Sequence, residues 1–361
     1  MKKISKSEHA VNVSAQPERT VGLDLGDRYS HYCIVTGRGE CMEEGRIQST
    51  EAALRKQFGN QDPLRIALEA GTHSPWVSQL LEQLGHQVIV ANTRKIPVIT
   101  SSKSKNDRND ARDLARFAAF DPELLSPIQH RGRERQQDLN LLRTRSVLVR
   151  ARTMLVNALR GLVKNTGQRL PTCSTESFPV KARAAVPAEL KLACDPLIDQ
   201  VKQLNLSIRE LDKQVVQLDK KYPEIAILRT VPGVGPVVAA CYVLTLDSPH
   251  RIHDHRQAGA YLGLRPSQSQ SGDSDPQQNI SRTGNTYLRS LLVQSAQYIL
   301  GRFGPDSALR RWGLKLAASG GKRGKKRAIV AVARKLAVML HSMWRNRKPF
   351  QPFPEPVAKA A

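Results

Sequence analysis

The chain has 361 residues, enough for two or three domains, and carries 56 Lys and Arg against 32 Asp and Glu. A formal charge of +24 is too large for the surface of an ordinary neutral enzyme and points to a polyanionic partner, nucleic acid or an anionic membrane. No apolar run is long enough to span a bilayer and the start, MKKISKSEHA, lacks the apolar core of a signal peptide, so no membrane is expected and nucleic acid leads.

Residues 1–19 are polar and aperiodic and read as a flexible tail. In TVGLDLGDRYSHYCIV, Val21, Leu23 and Leu25 alternate around Asp24, a strand pattern with one acid among hydrophobes. A carboxylate there needs a cation, a metal or a hydrogen-bond partner. Residues 40–47 are expected to return as a neighbouring strand, and 50–58 to form a helix. Residues 64–71 form the next strand and end in a second acid, Glu69; 76–84 read as a helix and 86–91 as another strand. That order, strand, strand, helix, strand, helix, strand, predicts an α/β domain.

In SSKSKNDRNDARDLARFAAF, Asp107, Asp110 and Asp113 recur every three residues at a helix start and share a face. Like charges on one face repel, and a divalent cation resolves the repulsion; a capped, solvated helix start is the alternative. With the strand-end acids Asp24 and Glu69 they predict a two-metal carboxylate site, whose hard oxygen ligands suit Mg²⁺ or Mn²⁺.

Leu141, Leu148, Leu155 and Leu162 then fall seven apart in an Arg-rich helix. After a Pro-containing break, Leu197, Val201, Leu204, Ile208, Leu211, Val215 and Leu218 alternate spacings of four and three. This is a coiled-coil seam, expected to pair subunits, with an internal helical hairpin as the other solution. LRTVPGVGPVVAA has the pattern of a helix-hairpin-helix turn, in which Gly233 and Gly235 let backbone N–H groups approach a DNA phosphate. His250, His253 and His255 are predicted to be a basic turn before a metal site, because no fourth ligand is near. The five cysteines, Cys33, Cys41, Cys173, Cys194 and Cys241, form no C-x-x-C pair and fit a reducing cytoplasm.

The loop LGLRPSQSQSG alternates serines with glutamines between Pro266 and Gly272, an exposed connection from which a hydroxyl can reach a substrate. A serine is a poor nucleophile until something takes its proton or stabilises the leaving group. Beyond it lie the basic turn ISRTGN, a helix over 287–300, and a stretch from 306 to 348 with thirteen Lys or Arg and one acid. Lys322, Arg323, Lys325, Lys326 and Arg327 precede an apolar helix over 329–344 and are expected to bind nucleic acid. The expected organisation is a tail (1–19), a catalytic α/β domain (20–125), a coiled-coil oligomerisation region (126–224), a mainly helical C-terminal domain (225–345) and a Pro-rich tail (346–361).

GLDLG, ALEAG and KNDRNDARDLA, followed by LRTVPGVGPVVAA, YLGLRP-SQSQSG and ISRTGNTYLRSLLVQSA, resemble the insertion sequence 110 family of transposases, relatives of the Piv/MooV DNA invertases. The resemblance covers roughly residues 20–125 and 225–345. It implies a RuvC-like, RNase H-fold first domain with Asp24, Glu69, Asp107 and Asp110 as Mg²⁺ ligands, and Asp113 in a structural role. It implies Ser271 as nucleophile, with Ser269 its nearest competitor, in a C-terminal transposase domain. It also implies a dimer or tetramer in the bacterial cytoplasm, associated with the nucleoid, acting on donor and target DNA and guided by a structured bridge RNA. The chain departs from the family in Asp273 and Asp275, where relatives tend to carry Gly and Lys. On this reading Arg282 and Arg289 are candidate phosphate clamps. The alternatives are a RuvC-like junction nuclease that uses water, and a non-catalytic nucleic-acid-binding assembly protein.

Overall fold

A computed structural model describes residues 18–92, 106–271, 274, 276, 278–319 and 321–354, with the side chain of Lys322 outside the description. Most of the expected N-terminal tail, half of the Pro-rich tail, and Gly272, Asp273 and Asp275 therefore lie outside the described residues. The chain forms two compact units, one ending at His130 and the other beginning at Arg131.

The first unit is built on a five-stranded sheet ordered β3-β2-β1-β4-β5. β1 (Arg19–Asp24), β2 (Tyr29–Thr36) and β3 (Cys41–Gln48) run as an antiparallel meander, while β4 (Arg65–Glu69) and β5 (Gln87–Ala91) join β1 in parallel. The stretch read as one strand around Asp24 is two, because the chain turns back tightly at residues 25–28. A Cβ on Gly26 would stand 2.2 Å from the Tyr29 carbonyl oxygen.

The central strands β1 and β4 are buried on both faces. Val21, Leu23, Ile66 and Leu68 pack with Leu54 and Phe58 of α1 (Glu51–Phe58) and Val77, Leu80 and Leu81 of α2 (Ser74–Gln83). On the other face lies α3 (Asp107–Phe120), where Ala67 meets Leu114 and Ala118, and Cys33 and Val35 meet Ala111 and Ala115. The seat for α3 is Gly22, where a Cβ would stand 1.9 Å from the Ala111 oxygen and 2.4 Å from the Ala115 nitrogen. Helix backbone thus rests directly on strand backbone. Glu44 of β3 anchors the same helix by binding the guanidinium groups of Arg108 and Arg112, one turn apart.

The second unit is helical. α4 (Arg133–Lys164) and α6 (Lys191–Lys221) form an antiparallel hairpin: Arg145 pairs with Asp212, Arg152 donates to Asn205 Oδ1 at 2.9 Å, and Asp138 accepts from Lys221 Nζ at 2.6 Å. The seam expected to pair subunits is thus spent within the chain, with Val201, Ile208, Val215 and Leu218 buried. On α4 the buried residues are Leu139, Leu142, Val156, Leu159 and Val163, while Leu162 of the expected heptad is exposed. Near its connection the hairpin packs with α5 (Phe178–Ala185); its other end joins the main core through Leu139, Leu142, Val215 and Leu218.

That core surrounds α8 (Pro236–Leu246), whose residues 239–246 are all buried, and includes α7 (Glu224–Arg229), α10 (Thr286–Leu300) and α12 (Gly324–Asn346). Burial on every side needs a helix apolar all round, which AACYVLTL supplies. Its polar tip is satisfied: Tyr242 Oη donates to the Ala337 carbonyl at 2.6 Å. A short α9 (Ala258–Tyr261) precedes the serine loop, and α11 (Ala308–Ser319), not anticipated from the basic composition, packs on α12. α12 starts at Gly324, so Lys325, Lys326 and Arg327 lie inside the helix that they were expected to precede.

Two outcomes follow for the first unit. Gly22→Val pushes α3 off the sheet and is expected to cost about 1–3 kcal/mol. Hydrogen exchange of the full-length protein will then show faster β1 and α3 amides, with the second unit unchanged. Paired guanidinium groups hold the Glu44 carboxyl down from its ordinary 4.5 to about 2. Because the folded value is depressed, Glu44 stabilises above pH 4.5 and loses that contribution as pH falls towards 2. In thermal melts Glu44→Gln is therefore less stable than the native chain above pH 4.5, and the gap narrows on acidification.

Candidate active site

Strand alternation places Asp24 on the face of Gly22, two residues on, and Glu69 on the face of Ala67. Both faces are the one that α3 covers. Leu23 and Leu68 are register partners in the parallel pair, so Asp24 and Glu69 end neighbouring strands at the same level. α3 runs against β1 and β4: Arg65, at the start of β4, donates to the carbonyl of Ala118 at 3.2 Å, near the helix's end. Its first turn, with Asp107 and Asp110, therefore sits towards the strand ends that carry Asp24 and Glu69. Asp24 lies about 7 Å along β1 from Gly22, and Asp107 precedes Ala111 by about 6 Å along α3, so the two offsets match. His31, the register partner of Asp24, has Nδ1 3.8 Å from Asp107 Oδ2.

The local sequence explains this helix start. Asn106 caps it, its Oδ1 accepting from the Arg108 amide at 3.1 Å, and the positive end of the helix dipole favours the negative charge of Asp107 and Asp110. Arg108 and Arg112 are drawn to Glu44. Asp24, Glu69 and Asp110 are half-buried and Asp107 is exposed, so the cluster is open to a ligand on one side.

The donor set is carboxylate throughout, which fits a hard divalent cation. Among the described residues the cluster of three metal-type donors within 4.8 Å is Cys33, Cys41 and Glu44. Burial and the hydrogen bond to Cys41 push the Cys33 thiol up to about 12, and Glu44 is already held by two cations, so that cluster is a poor cation site. Asp24, Glu69, Asp107 and Asp110 are the better match to Mg²⁺ or Mn²⁺: they share one side of the sheet without closing into a tight cage.

In the second unit residues 264–271 pair with 278–282 and with Ser274 as a hairpin-like arm. Pro266 and Ile280 are bridged, Ser267 N donates to the Asn279 carbonyl at 2.9 Å, and Ser281 N donates to the Arg265 carbonyl at 2.9 Å. Further out, Ser271 and Ser274 exchange both backbone hydrogen bonds at 3.1 Å. Ser271 is thus exposed near the tip, while Ser267, the first serine, has its hydroxyl occupied by the Asn279 carbonyl at 2.8 Å. Ser269 is also exposed.

The arm's base is locked by two glycines. Gly263 and Gly284 have φ of 67° and 75°, and Cβ atoms there would stand 2.3 Å from the Thr283 oxygen and 2.2 Å from the Tyr261 oxygen. Two backbone segments therefore touch, and no other residue fits. Beneath them Arg289 is buried, donating to the carbonyls of Leu262 (3.1 Å) and Thr283 (2.8 Å) and to Thr286 Oγ1 (3.1 Å). Its geometry is that of a brace for the arm and not of the phosphate clamp expected. Arg282 is exposed on a left-handed backbone, φ 56°.

Of the other expected nucleic-acid contacts, Arg323, Lys325, Lys326 and Arg327 are exposed. Gly235 is exposed with open space where a Cβ would be, whereas Gly233, at φ 87°, abuts Tyr298 and Ser295 of α10. Sequence reasoning missed Gly22 and Glu44, which position the acids. The small residues Ala111 and Ala115, one turn apart on α3, were the available sign of a close approach. His250 and His255 lie on two short 3₁₀ turns with His253 in the bend between them, and the segment is tied to α12 by His341 Nε2 at 3.0 Å from the Pro249 carbonyl and by Arg345, which donates to the His253 carbonyl at 2.6 Å.

Comparison with known proteins converges on these two regions. A DEDD-type IS110 transposase profile matches residues 21–167, and one described as "Transposase IS116/IS110/IS902 family" matches 225–311. The chain is 28% identical over 362 residues to a transposase for insertion sequence element IS1111A of Coxiella burnetii, covering 95% of this chain and 96% of that protein. It is 29% identical over 297 residues to a probable family 20 transposase of Pseudomonas aeruginosa (78% and 83%), and 24% identical over 346 residues to a pilin gene-inverting protein of Moraxella lacunata (91% and 97%). With an acid-bearing mixed-sheet unit and a helical serine-arm unit each matched in family order, the chain belongs to the IS110/IS116 family of insertion-sequence transposases.

Proposed function

We propose that this transposase cleaves and rejoins DNA through a covalent serine–DNA phosphodiester, assisted by divalent cations at Asp24, Glu69, Asp107 and Asp110. The observation that carries the reading is the gathering of four carboxylates on one side of the sheet, in a chain whose net charge is +24. An all-carboxylate donor set so placed is chemically suited to a hard divalent cation. Bound Mg²⁺ or Mn²⁺ would offset the charge that develops on the phosphate oxygens.

Ser271 Oγ attacks the scissile phosphorus and the bond to the departing strand's oxygen breaks. The serine proton ends on that oxygen, leaving a free strand hydroxyl and a DNA–serine diester. A hydroxyl of a second strand reverses the step, so the bond energy is conserved and no nucleotide cofactor is needed. An exposed tip on a braced base supports this role, because the nucleophile has access while its carrier is held. The named activities of the Coxiella and Moraxella relatives, transposition and gene inversion, both require broken strands to be rejoined.

Gly235 at the turn before α8 and the cations Arg282, Arg323, Lys325, Lys326 and Arg327 are proposed contacts to DNA backbone or to a structured bridge RNA. On this reading the turn acts as a helix-hairpin-helix. Assembly of two or four copies is part of the proposal, supported by the exposed Val147 and Met154, seven apart on the hairpin helix α4.

Denaturing gels of full-length protein with labelled DNA test the central step. Ser271→Ala is expected to abolish the covalent adduct, and Asp24→Asn and Glu69→Gln to slow its formation by about 10²-fold or more. Cleavage at equal rates in native protein and Ser271→Ala, with free 5′-phosphate ends, would instead establish a water-using nuclease. Arg289→Met leaves two buried carbonyls unsatisfied, a cost of about 1–3 kcal/mol. It should slow adduct formation about tenfold or more with an unchanged Kd for duplex DNA. A matching loss of affinity would make Arg289 a DNA contact after all.

A further inference from the structure

In the second unit a groove of about 1340 Å³ opens between the serine arm, α11 and α12. Its rim carries Arg256, Arg282, Arg323, Lys326, Arg327 and Arg334, and among the described residues no Asp or Glu lines it. All six are exposed, and among the described residues none pairs with a carboxylate. Elsewhere in the unit Arg145, Arg183, Arg209, Arg229 and Arg311 all do. Unpaired cations around one concavity repel one another, and a polyanion relieves that repulsion.

Arg334 is seated by local packing, since a Cβ on Gly259 would stand 2.7 Å from its Cγ. The floor, in contrast, is apolar, with Leu264, Ile280, Trp312 and Val330, and the Lys335 ammonium lies 4.4 Å above the centre of the Trp312 ring.

Duplex DNA turns its phosphates outward and hides its base faces, so a cationic rim alone would serve it. An apolar, aromatic floor beside that rim suits a strand whose bases are unpaired. One wall of the groove, at Pro266 and Ile280, is the base of the arm that carries Ser271. We propose that this groove holds an unpaired DNA strand, bases against the Trp312 floor and phosphates on the Arg rim, and delivers it to the serine arm. The proposal deepens the serine-recombinase reading and rests on it.

The test uses the full-length Ser271→Ala protein, which cannot become trapped, and fluorescence anisotropy with a labelled single-stranded DNA, its duplex and a hairpin RNA of equal length. Arg327→Glu combined with Arg334→Glu, both on the surface, should weaken single-strand binding by about tenfold or more and flatten its log–log salt slope by about 1.4. Trp312→Ala should weaken single-strand binding and leave the duplex within about twofold, while Trp312→Phe retains the preference. Equal losses for single strand and duplex, or a larger loss for the hairpin RNA, overturn the proposal. So does an unchanged affinity, which leaves the groove to some other occupant such as a segment of a second copy. If circular dichroism shows Trp312→Ala unfolded, the paired Arg substitutions decide. Groove-dependent binding in a protein that forms no adduct with Ser271 intact would fail the serine reading alone; an intact adduct with groove-independent binding fails this one alone.

Discussion

The direct contact between Gly22 and the backbone of α3 is the constraint on which the acid cluster depends. A side chain of any size at residue 22 would meet helix backbone at Ala111 and Ala115, and backbone cannot rotate away as a side chain can. With the helix resting on β1, its first turn comes level with the ends of β1 and β4, and acids from three separate stretches reach one side of the sheet. Glu44 then fixes the helix's rotation by holding Arg108 and Arg112. These two basic residues, so close in sequence to Asp107 and Asp110, are thereby directed to β3.

The second unit uses the same physical device for another purpose. At Gly263 and Gly284 two loops touch backbone to backbone, and the buried guanidinium of Arg289 satisfies the carbonyls that this contact would strand. The result is a fixed base with an exposed tip. A nucleophile benefits from both properties, since orientation lowers the barrier only if the carrier does not wander. Six exposed cations, none of them paired with a carboxylate among the described residues, ring the groove at the arm's foot.

Much of this was legible in the sequence, and the failures are instructive. Asp24 and Glu69 stood out because an acid in an apolar strand is costly, and Asp107 and Asp110 because their spacing puts them on one face. The division of residues 21–35 into two strands was missed because the alternation around Asp24 was carried through Gly26, Asp27 and Arg28, whose turn chemistry marks the break. The seam on α6 was read as a coiled coil between subunits; Val201, Ile208, Val215 and Leu218 are buried within the chain, because periodicity does not say whether the covering helix belongs to the same chain. Arg289 looked like a surface cation, since composition cannot distinguish a guanidinium facing phosphate from one facing carbonyls. Arg256 and Arg334 are far apart in sequence and meet only through the fold.

Manganese electron paramagnetic resonance on the full-length protein without DNA tests most directly the claim that Gly22 seats the helix that completes a cation site. The account predicts that native protein binds Mn²⁺, that Asp24→Asn with Glu69→Gln abolishes the bound signal, and that Gly22→Val weakens it although no ligand has been removed. Undiminished binding in the Asp24→Asn, Glu69→Gln protein would contradict it.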